Sequence, residues 1–360
     1  MGREDMGRQD LGRQDLGTWE SEPLGRLADG PAALSSRVLG HLGLPGRAEL
    51  REVVELGIST FDAALAHDAP ELVADFLGFA AHRVAVLAPA PPLPGRVRSL
   101  PRAVLAELLP AADLAAVEDL LGRALDLARA RRTDQRPVLG DPARAFLDHA
   151  LAGDREAAVA VVLDAARAGT DLAVVLTDIL EAAQQELGRL WEEGTVSVAQ
   201  EHYCTALTQL AMSALYPYLF DPAAHGTGPR PGLVAVQAGG SLHEVGLRMV
   251  ADLLEHEGWD TTYLGAEPDP DRIVAALVEQ HAKVLAISAS MPAHVGAVAG
   301  LVRAVRADPR TAGVRIVVGG RPFVVAPGLA AEVGADGTAR DAREAVAVCT
   351  RLAEASDVPV

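Results

Sequence analysis

GLVAVQAG at residues 232–239 begins a series of short apolar segments that alternate with helical ones. Further strand-like segments are WDTTYLG (259–265), KVLAISAS (283–290), VRIVVGG (314–320) and a brief fifth over 335–337. Helical spacing between them predicts helices over 243–256, 271–280, 293–306 and 341–355. Strands alternating with helices predict a doubly wound, flavodoxin-like (Rossmann-type) parallel sheet over residues 231–355. Such sheets bind ligands at the carboxyl ends of their strands.

The residues before 231 divide into a tail, two helical units and a linker. Residues 2–16 repeat the pattern GREDM-GRQDL-GRQDL, which is too polar to pack, so residues 1–30 are expected to be a disordered tail. Apolar residues at helical spacing predict an all-α domain over 46–128. A basic, proline-containing stretch over 129–141 is expected to be a linker. A second helical unit over 142–220 is expected to form a four-helix bundle, whose last helix begins at a capping box, Ser197 to Gln200.

Composition excludes several classes of protein. The 360 residues are 49% hydrophobic and carry a formal net charge of −17, which disfavours binding to nucleic acid. The two cysteines, Cys204 and Cys349, cannot build a disulfide framework, which suits a cytoplasmic protein. No long uncharged apolar stretch occurs, so a membrane partner is not expected.

Polar and small residues recur at the predicted carboxyl ends of three strands. His243 and Gly246 form H-x-x-G after the first strand. Ser288 and Ser290 end the third strand, and Gly319-Gly320 ends the fourth. The histidine can ligate a metal, the hydroxyls supply hydrogen bonds, and the glycines allow a ligand to approach the backbone closely.

This spacing resembles the signature of the cobalamin-binding domain. The resemblance implies that His243 is the lower axial ligand to cobalt, with Ser241, Leu242, Val245 and Gly246 around it. It also implies that the cofactor's nucleotide tail is lined by Ser288, Ser290, Gly319 and Gly320. One position departs from the family pattern, because Ser241 stands where an acidic residue usually holds the histidine. Serine can accept the imidazole's hydrogen bond but carries no charge.

A second motif lies in the helical bundle, where Trp191 is followed after nine residues by Glu201-His202. By itself this pattern is more typical of a core tryptophan and a solvated helix start. Beside a cobalamin domain it resembles light-sensing proteins of the CarH type, in which such residues pack around the 5′-deoxyadenosyl group. The resemblance implies adenosylcobalamin as cofactor. Glu192 replaces the histidine that captures cobalt after photolysis in those proteins, which leaves His202 as the candidate upper ligand.

The role of residues 46–128 remains open between two alternatives. They could serve dimerisation or contact with a partner, since nothing in them resembles the winged-helix DNA-binding domain of CarH-type proteins. They also resemble the helical region that photocobilins use to bind biliverdin. A bilin here would be non-covalent, with its propionates near His67, His82, Arg83, Arg96 and Arg98.

These observations predict an adenosylcobalamin-dependent light sensor that is not an enzyme. Photolysis of the cobalt–carbon bond would change the packing of the bundle and thereby the assembly of a homo-oligomer, with an unidentified signalling protein as partner. The alternative is a corrinoid shuttle protein that serves a methyltransferase. A mutase would need a substrate barrel that the preceding residues cannot supply, and an interaction module without cobalamin would not need the aligned histidine.

Overall fold

The computed structural model describes residues 35–36, 39–40, 48–87, 111–130, 139–219, 230–240, 243–267 and 269–356. The expected disordered tail over 1–30 lies outside these residues. The described chain forms a helical unit, a helical bundle and a parallel sheet with flanking helices. None of the described helices is long and apolar enough to cross a membrane.

The N-terminal helical unit contains the helices α1 (Ala48–Ala66), α2 (Pro70–Leu87) and α3 (Ala111–Ala130). Helices α1 and α2 pack closely, because Gly57 has no side chain and the ring of Phe76 lies over it. A Cβ atom at Gly57 would come within 2.7 Å of that ring. Helix α3 continues to Ala130, so the linker expected over 129–141 begins later than the sequence indicates.

The bundle consists of four helical segments, as the sequence predicts. They are α4 (Asp141–Leu151), α5 (Arg155–Arg167), a continuous third segment, and α8 (Val198–Leu219). The third segment is made of α6 (Leu172–Val174), a π-helix (Val175–Glu181) and α7 (Ala182–Glu192). Ser197 and Gln200 form the predicted capping box, since each backbone N–H donates to the other side chain at 3.1 and 3.3 Å. Fully buried leucines and Phe146 fill the bundle core.

The sheet contains five parallel strands in the order β2-β1-β3-β4-β5, which confirms the predicted fold class. The strands are β1 (Gly232–Gln237), β2 (Asp260–Gly265), β3 (Ala282–Ser288), β4 (Arg315–Gly319) and β5 (Gly337–Ala339). The helices between and after them are α9 (Val245–His256), α10 (Pro270–Glu279), α11 (Val295–Ala307), α12 (Arg321–Val325), α13 (Leu329–Glu332) and α14 (Ala342–Ser356). Because this order places β1 and β3 side by side at the point where the chain changes direction, ligands are expected there.

The fifth strand starts two residues later than the sequence indicates. Asp336, just before the strand, binds neighbouring segments of the chain through its side chain. Its carboxylate accepts hydrogen bonds from the backbone N–H of Ile316 and from Arg306, both at 2.6 Å. The side-chain bonds of Asp336 hold the chain beside β4, and regular pairing therefore begins at Gly337.

The three parts share two apolar cores. Buried residues of the N-terminal unit, including Leu72 and Leu120, form one cluster with residues of the sheet such as Ile287 and Val318. The bundle core continues into α9 and α14 through Met249, Leu253 and Ala342. The bundle and the N-terminal unit therefore both pack against the α/β part, and the carboxyl ends of the strands lie between them.

Candidate functional site

A cavity of about 920 Å³ lies between the bundle and the carboxyl ends of the strands. The bundle contributes residues from the π-helix, α7 and α8, and the α/β part contributes the start of α9 and two loops. The polar and charged residues of its lining are Glu181, Gln184, Gln185, Glu192, Glu201, His202, Thr205, Gln209, His243 and Arg321. A space of this size between two folding units suits a large ligand.

A narrow second cavity of about 160 Å³ continues from the first into the α/β part. Glu181 and Gly246 line both cavities. Further inside, Ser288 at the end of β3 and Gly319 at the end of β4 line the narrow space. Gly320 has φ 94°, and a Cβ atom there would collide with the carbonyl oxygen of Ala289. Only glycine therefore fits at this turn, which brings bare backbone to the cavity wall.

His243 has an exposed side chain that lines the large cavity, just before α9 begins. A second histidine, His294, lies near it in the 3₁₀ turn that precedes α11 and is 3% exposed. Burial lowers the pKa of His294, and the charge of His243 lowers it further. The ring of His294 covers Gly239, where a Cβ atom would lie 2.5 Å from the ring. His294 is a neighbour of the candidate ligand that the sequence pattern did not indicate.

Trp191 lies at the opposite side of the large cavity and is held by the N-terminal unit. Its ring stacks on Phe79, with centroids 6.0 Å apart and an interplanar angle of 27°. The guanidinium of Arg83 lies 4.6 Å from the centre of the indole and donates a hydrogen bond to the Trp191 carbonyl at 3.1 Å. Helix α2 therefore fixes the end of α7 that borders the cavity.

Charged groups also lie at the Trp191 end of the large cavity. Arg321, the first residue of α12, donates to Asp75 of α2 at 3.0 Å through Nε. Glu192 lines the cavity beside them, and its pKa is raised by burial, an effect that Arg321 opposes. Asp75 and Arg321 connect the N-terminal unit directly to the loop that follows β4.

The structure brings most of the predicted site residues to these two cavities. Trp191, Glu201, His202, His243, Val245 and Gly246 line the large one, and Gly246, Ser288, Gly319 and Gly320 line the narrow one. Ser290 lines neither of them and accepts a hydrogen bond from Gln237 at 3.0 Å. Ser241 and Leu242 lie outside the described residues.

Sequence reasoning missed four charged residues of the cavities, which are Glu181, Arg321, and Arg340 and Asp341 of the narrow cavity. Arg321 directly follows the glycine pair, so its position after a strand end could have indicated it. Glu181 lies ten positions before Trp191 within a helical segment, and no motif singles it out.

The residues proposed to meet a bilin do not converge. His67 pairs with Glu332 at 3.0 Å, and His82 contacts the Gly78 carbonyl of its own helix at 2.9 Å. Arg83 is engaged with Trp191. Arg96 and Arg98 lie outside the described residues. The described structure therefore offers no specific support for the bilin hypothesis.

Comparison with known proteins indicates which cofactor this chain binds. Two family models, both described as B12 binding domain, match residues 231–347 and 142–216. The chain carries a cobalamin-binding module. The first match covers the sheet with its flanking helices, and the second covers the bundle. The N-terminal helical unit lies outside both matches.

Several curated relatives are corrinoid proteins. Dimethylamine corrinoid protein 1 of Methanosarcina mazei is 24% identical over 206 residues, which cover 57% of this chain and 94% of that protein. Monomethylamine corrinoid protein 1 of Methanosarcina acetivorans is 27% identical over 191 residues, covering 52% of this chain and 87% of the relative. The solved structure of the Methanosarcina barkeri monomethylamine corrinoid protein matches with a TM-score of 0.50 and 23% identity, over 59% of this chain and 97% of that one. This last likeness shows a shared fold.

The residues on the cavity walls fit a cobalamin. His243 offers an exposed imidazole to the large cavity, and its nitrogen could ligate the cobalt of a corrinoid bound there. The narrow cavity enters the sheet between the ends of β3 and β4, where Gly319 and Gly320 leave room for an extended nucleotide tail. His243 would hold the cobalt, and the strand-end residues would hold the tail.

Proposed function

We propose that this protein is a corrinoid carrier that presents a cobalamin-bound methyl group to a methyltransferase partner. The observation that carries the proposal is the pair of B12 binding domain matches, which together span the bundle and the sheet and leave one continuous cavity between them. Curated relatives of the chain include methylamine corrinoid proteins. In this proposal the chain carries the reacting group and does not itself catalyse a reaction.

The bound corrinoid would supply the cobalt that carries the methyl group. The protein's own residues have three tasks in this proposal. His243 would ligate the cobalt, and the glycines at the strand ends would admit the tail. Trp191, Glu201 and His202 form the opposite wall and exclude water from the upper side. Opening of this wall would admit a partner, and such a movement would involve α9 and α14, where the bundle core meets the α/β part.

A second candidate function is light sensing with adenosylcobalamin. One observation favours it, because Trp191, Glu201 and His202 line the same cavity as His243, as the CarH-type resemblance implies. The exposed His202 side chain would be the replacement ligand after photolysis. Light-dependent assembly into a homo-oligomer, and biliverdin as a second chromophore, belong to this candidate. It ranks second because the relatives found are corrinoid proteins of methylamine systems.

One binding experiment separates the two functions. The full chain is loaded in the dark with methylcobalamin or adenosylcobalamin, and the dissociation constants are compared. A carrier binds methylcobalamin at least as tightly as adenosylcobalamin, and its mass on gel filtration is the same before and after green light. Preference for adenosylcobalamin together with a light-dependent change of mass would contradict the carrier and support the sensor.

A further inference from the structure

Glu181 occupies the junction between the two cavities. It is the last residue of the π-helix Val175–Glu181 and lines both the corrin-sized cavity and the narrow channel. A π-helix contains one extra residue relative to an α-helix, which rotates the residues before it by about 100° relative to those after it. π-Helical segments are rare in proteins, and those that do occur often lie at functional sites.

The carboxylate of Glu181 has one oxygen without a partner. Its Oε1 accepts a hydrogen bond from Gln185 at 3.3 Å, whereas the buried Oε2 has no donor among the described residues. A buried acceptor without a donor is costly, so such an atom in a ligand cavity indicates a donor on the ligand.

Burial and charged neighbours together set the pKa of Glu181. Burial is the main factor that raises its pKa, to about 7, and the nearby Asp341 and Asp178 raise it further. Gln185 and Arg343 act in the opposite direction. The junction is therefore unfavourable for a second anionic group and favourable for a neutral group that donates a hydrogen bond.

We propose that Glu181 recognises a propionamide side chain of the corrin ring, with its carboxylate accepting a hydrogen bond from the amide N–H where the ring meets the nucleotide tail. The propionamides project from the same face of the corrin as the tail, which places them at the mouth of the channel. A carboxylate at this position selects corrinoids whose side chains are amidated over those that retain a free acid, since two carboxylates would repel each other. The inference rests on the cobalamin-binding function proposed above.

Cobalamin derivatives in which one propionamide is hydrolysed provide the test. Cyanocobalamin and its three monocarboxylic acids (b, d and e) are titrated separately into the full chain at about pH 8, where Glu181 with its pKa of about 7 is mostly ionised. Dissociation constants are measured from the change in absorbance. We expect one isomer to bind about tenfold more weakly than the parent, the size of effect that a like-charge contact produces. In Glu181→Gln this isomer should bind within about threefold of the parent, because the repulsion is gone.

A matched control lies on the same π-helix. Asp178 lines neither cavity and is engaged with Thr177 at 2.7 Å and Arg343 at 3.3 Å. Asp178→Asn should therefore keep the wild-type pattern of discrimination. Equal binding of all three acids by the wild type, or unchanged discrimination in Glu181→Gln, would overturn the proposal while cobalamin binding itself stands. Failure of cyanocobalamin to bind the wild type would overturn both this inference and the carrier function.

Discussion

At the scale of single residues, buried carboxylates link the stability of the protein to pH. The pKa of Glu181 is raised from 4.5 to about 7 in the folded protein, mainly by burial, so the folded state binds a proton more tightly than the unfolded state. The contribution to stability is complete below pH 4.5 and is lost as the pH rises through about 7. Asp252 has the same effect on stability over a lower pH range, because burial raises its pKa from 3.8 to about 6.

Glu181→Gln should remove the part of this dependence that extends to neutral pH. We expect the cobalamin-free wild type to lose on the order of 2 kcal/mol of unfolding free energy between pH 5 and pH 8. The variant should lose markedly less and keep the part due to Asp252. Urea unfolding at the two pH values measures this, with Asp164→Asn as the control that should follow the wild type, because Asp164 is exposed and pairs with Arg167 at 2.8 Å. Equal losses of unfolding free energy in the wild type and in Glu181→Gln would show that Glu181 is not the source of the pH dependence.

Two glycines at the cavities should respond differently to the same substitution. A Cβ atom at Gly246 meets no protein atom within 4 Å, whereas one at Gly320 collides with the backbone of Ala289. Gly246→Ala should therefore leave the cobalamin-free protein as stable as the wild type, or more stable by up to about 1 kcal/mol, since alanine favours helix. It should still weaken cobalamin binding, because the methyl group enters the space that both cavities share.

Gly320→Ala should lower the free energy of unfolding by about 2 kcal/mol or more, because it combines a positive φ with a backbone collision. Thermal unfolding without ligand measures the effect of each substitution on stability, and titration with cyanocobalamin then measures its effect on binding. Equal destabilisation by the two substitutions would show that the turn after β4 is not constrained as described.

At the scale of elements, helix α2 connects the N-terminal unit to the wall of the cavity. Phe79 and Arg83 hold Trp191, and Asp75 holds Arg321. The same helix packs near the turn between α7 and α8, where a Cβ atom at Gly194 would lie 2.6 Å from Val86. Movement of α2 would therefore be transmitted to the upper wall of the cobalamin cavity.

Arg83→Ala tests this connection. The substitution removes a cation from the indole and a hydrogen bond to the Trp191 carbonyl, so we expect a loss of about 1–2 kcal/mol in unfolding free energy. Tryptophan fluorescence should shift as Trp191 becomes more exposed to water. Arg129→Ala is the matched control, because Arg129 is exposed and pairs with Asp126 of its own helix at 2.7 Å. Identical urea curves for the two variants would disprove the role of Arg83.

At the scale of the whole molecule, local patterns in the sequence were sufficient for the fold. The alternation of strands and helices after residue 231 specifies the doubly wound sheet, and the shared edge of its strands brings His243, Ser288 and Gly319 to connected cavities. Trp191, Glu201 and His202, which the sequence pattern singles out, line the same cavity. That pattern does not encode which group occupies the upper side of a bound corrinoid, and the relatives favour a carrier over the light sensor.

Other features depend on contacts that local patterns do not contain. The pairing of Asp75 with Arg321 joins residues 246 positions apart. Glu181 ends a π-helix, whereas the sequence pattern predicted only a regular helical segment there. His294 became a neighbour of His243 through the packing of the 3₁₀ turn against Gly239. Such residues emerge only from the three-dimensional arrangement.

The central claim is that His243 holds the cobalt of cobalamin between the bundle and the sheet. Protein grown with ¹⁵N-labelled histidine and loaded with unlabelled cobalamin in the Co(II) state is measured by electron paramagnetic resonance. Coordination by a labelled imidazole predicts that each cobalt line splits into a doublet, and that the doublet disappears in His243→Ala. A triplet from the cofactor's own ¹⁴N base, or a doublet that survives in His243→Ala, would contradict the account.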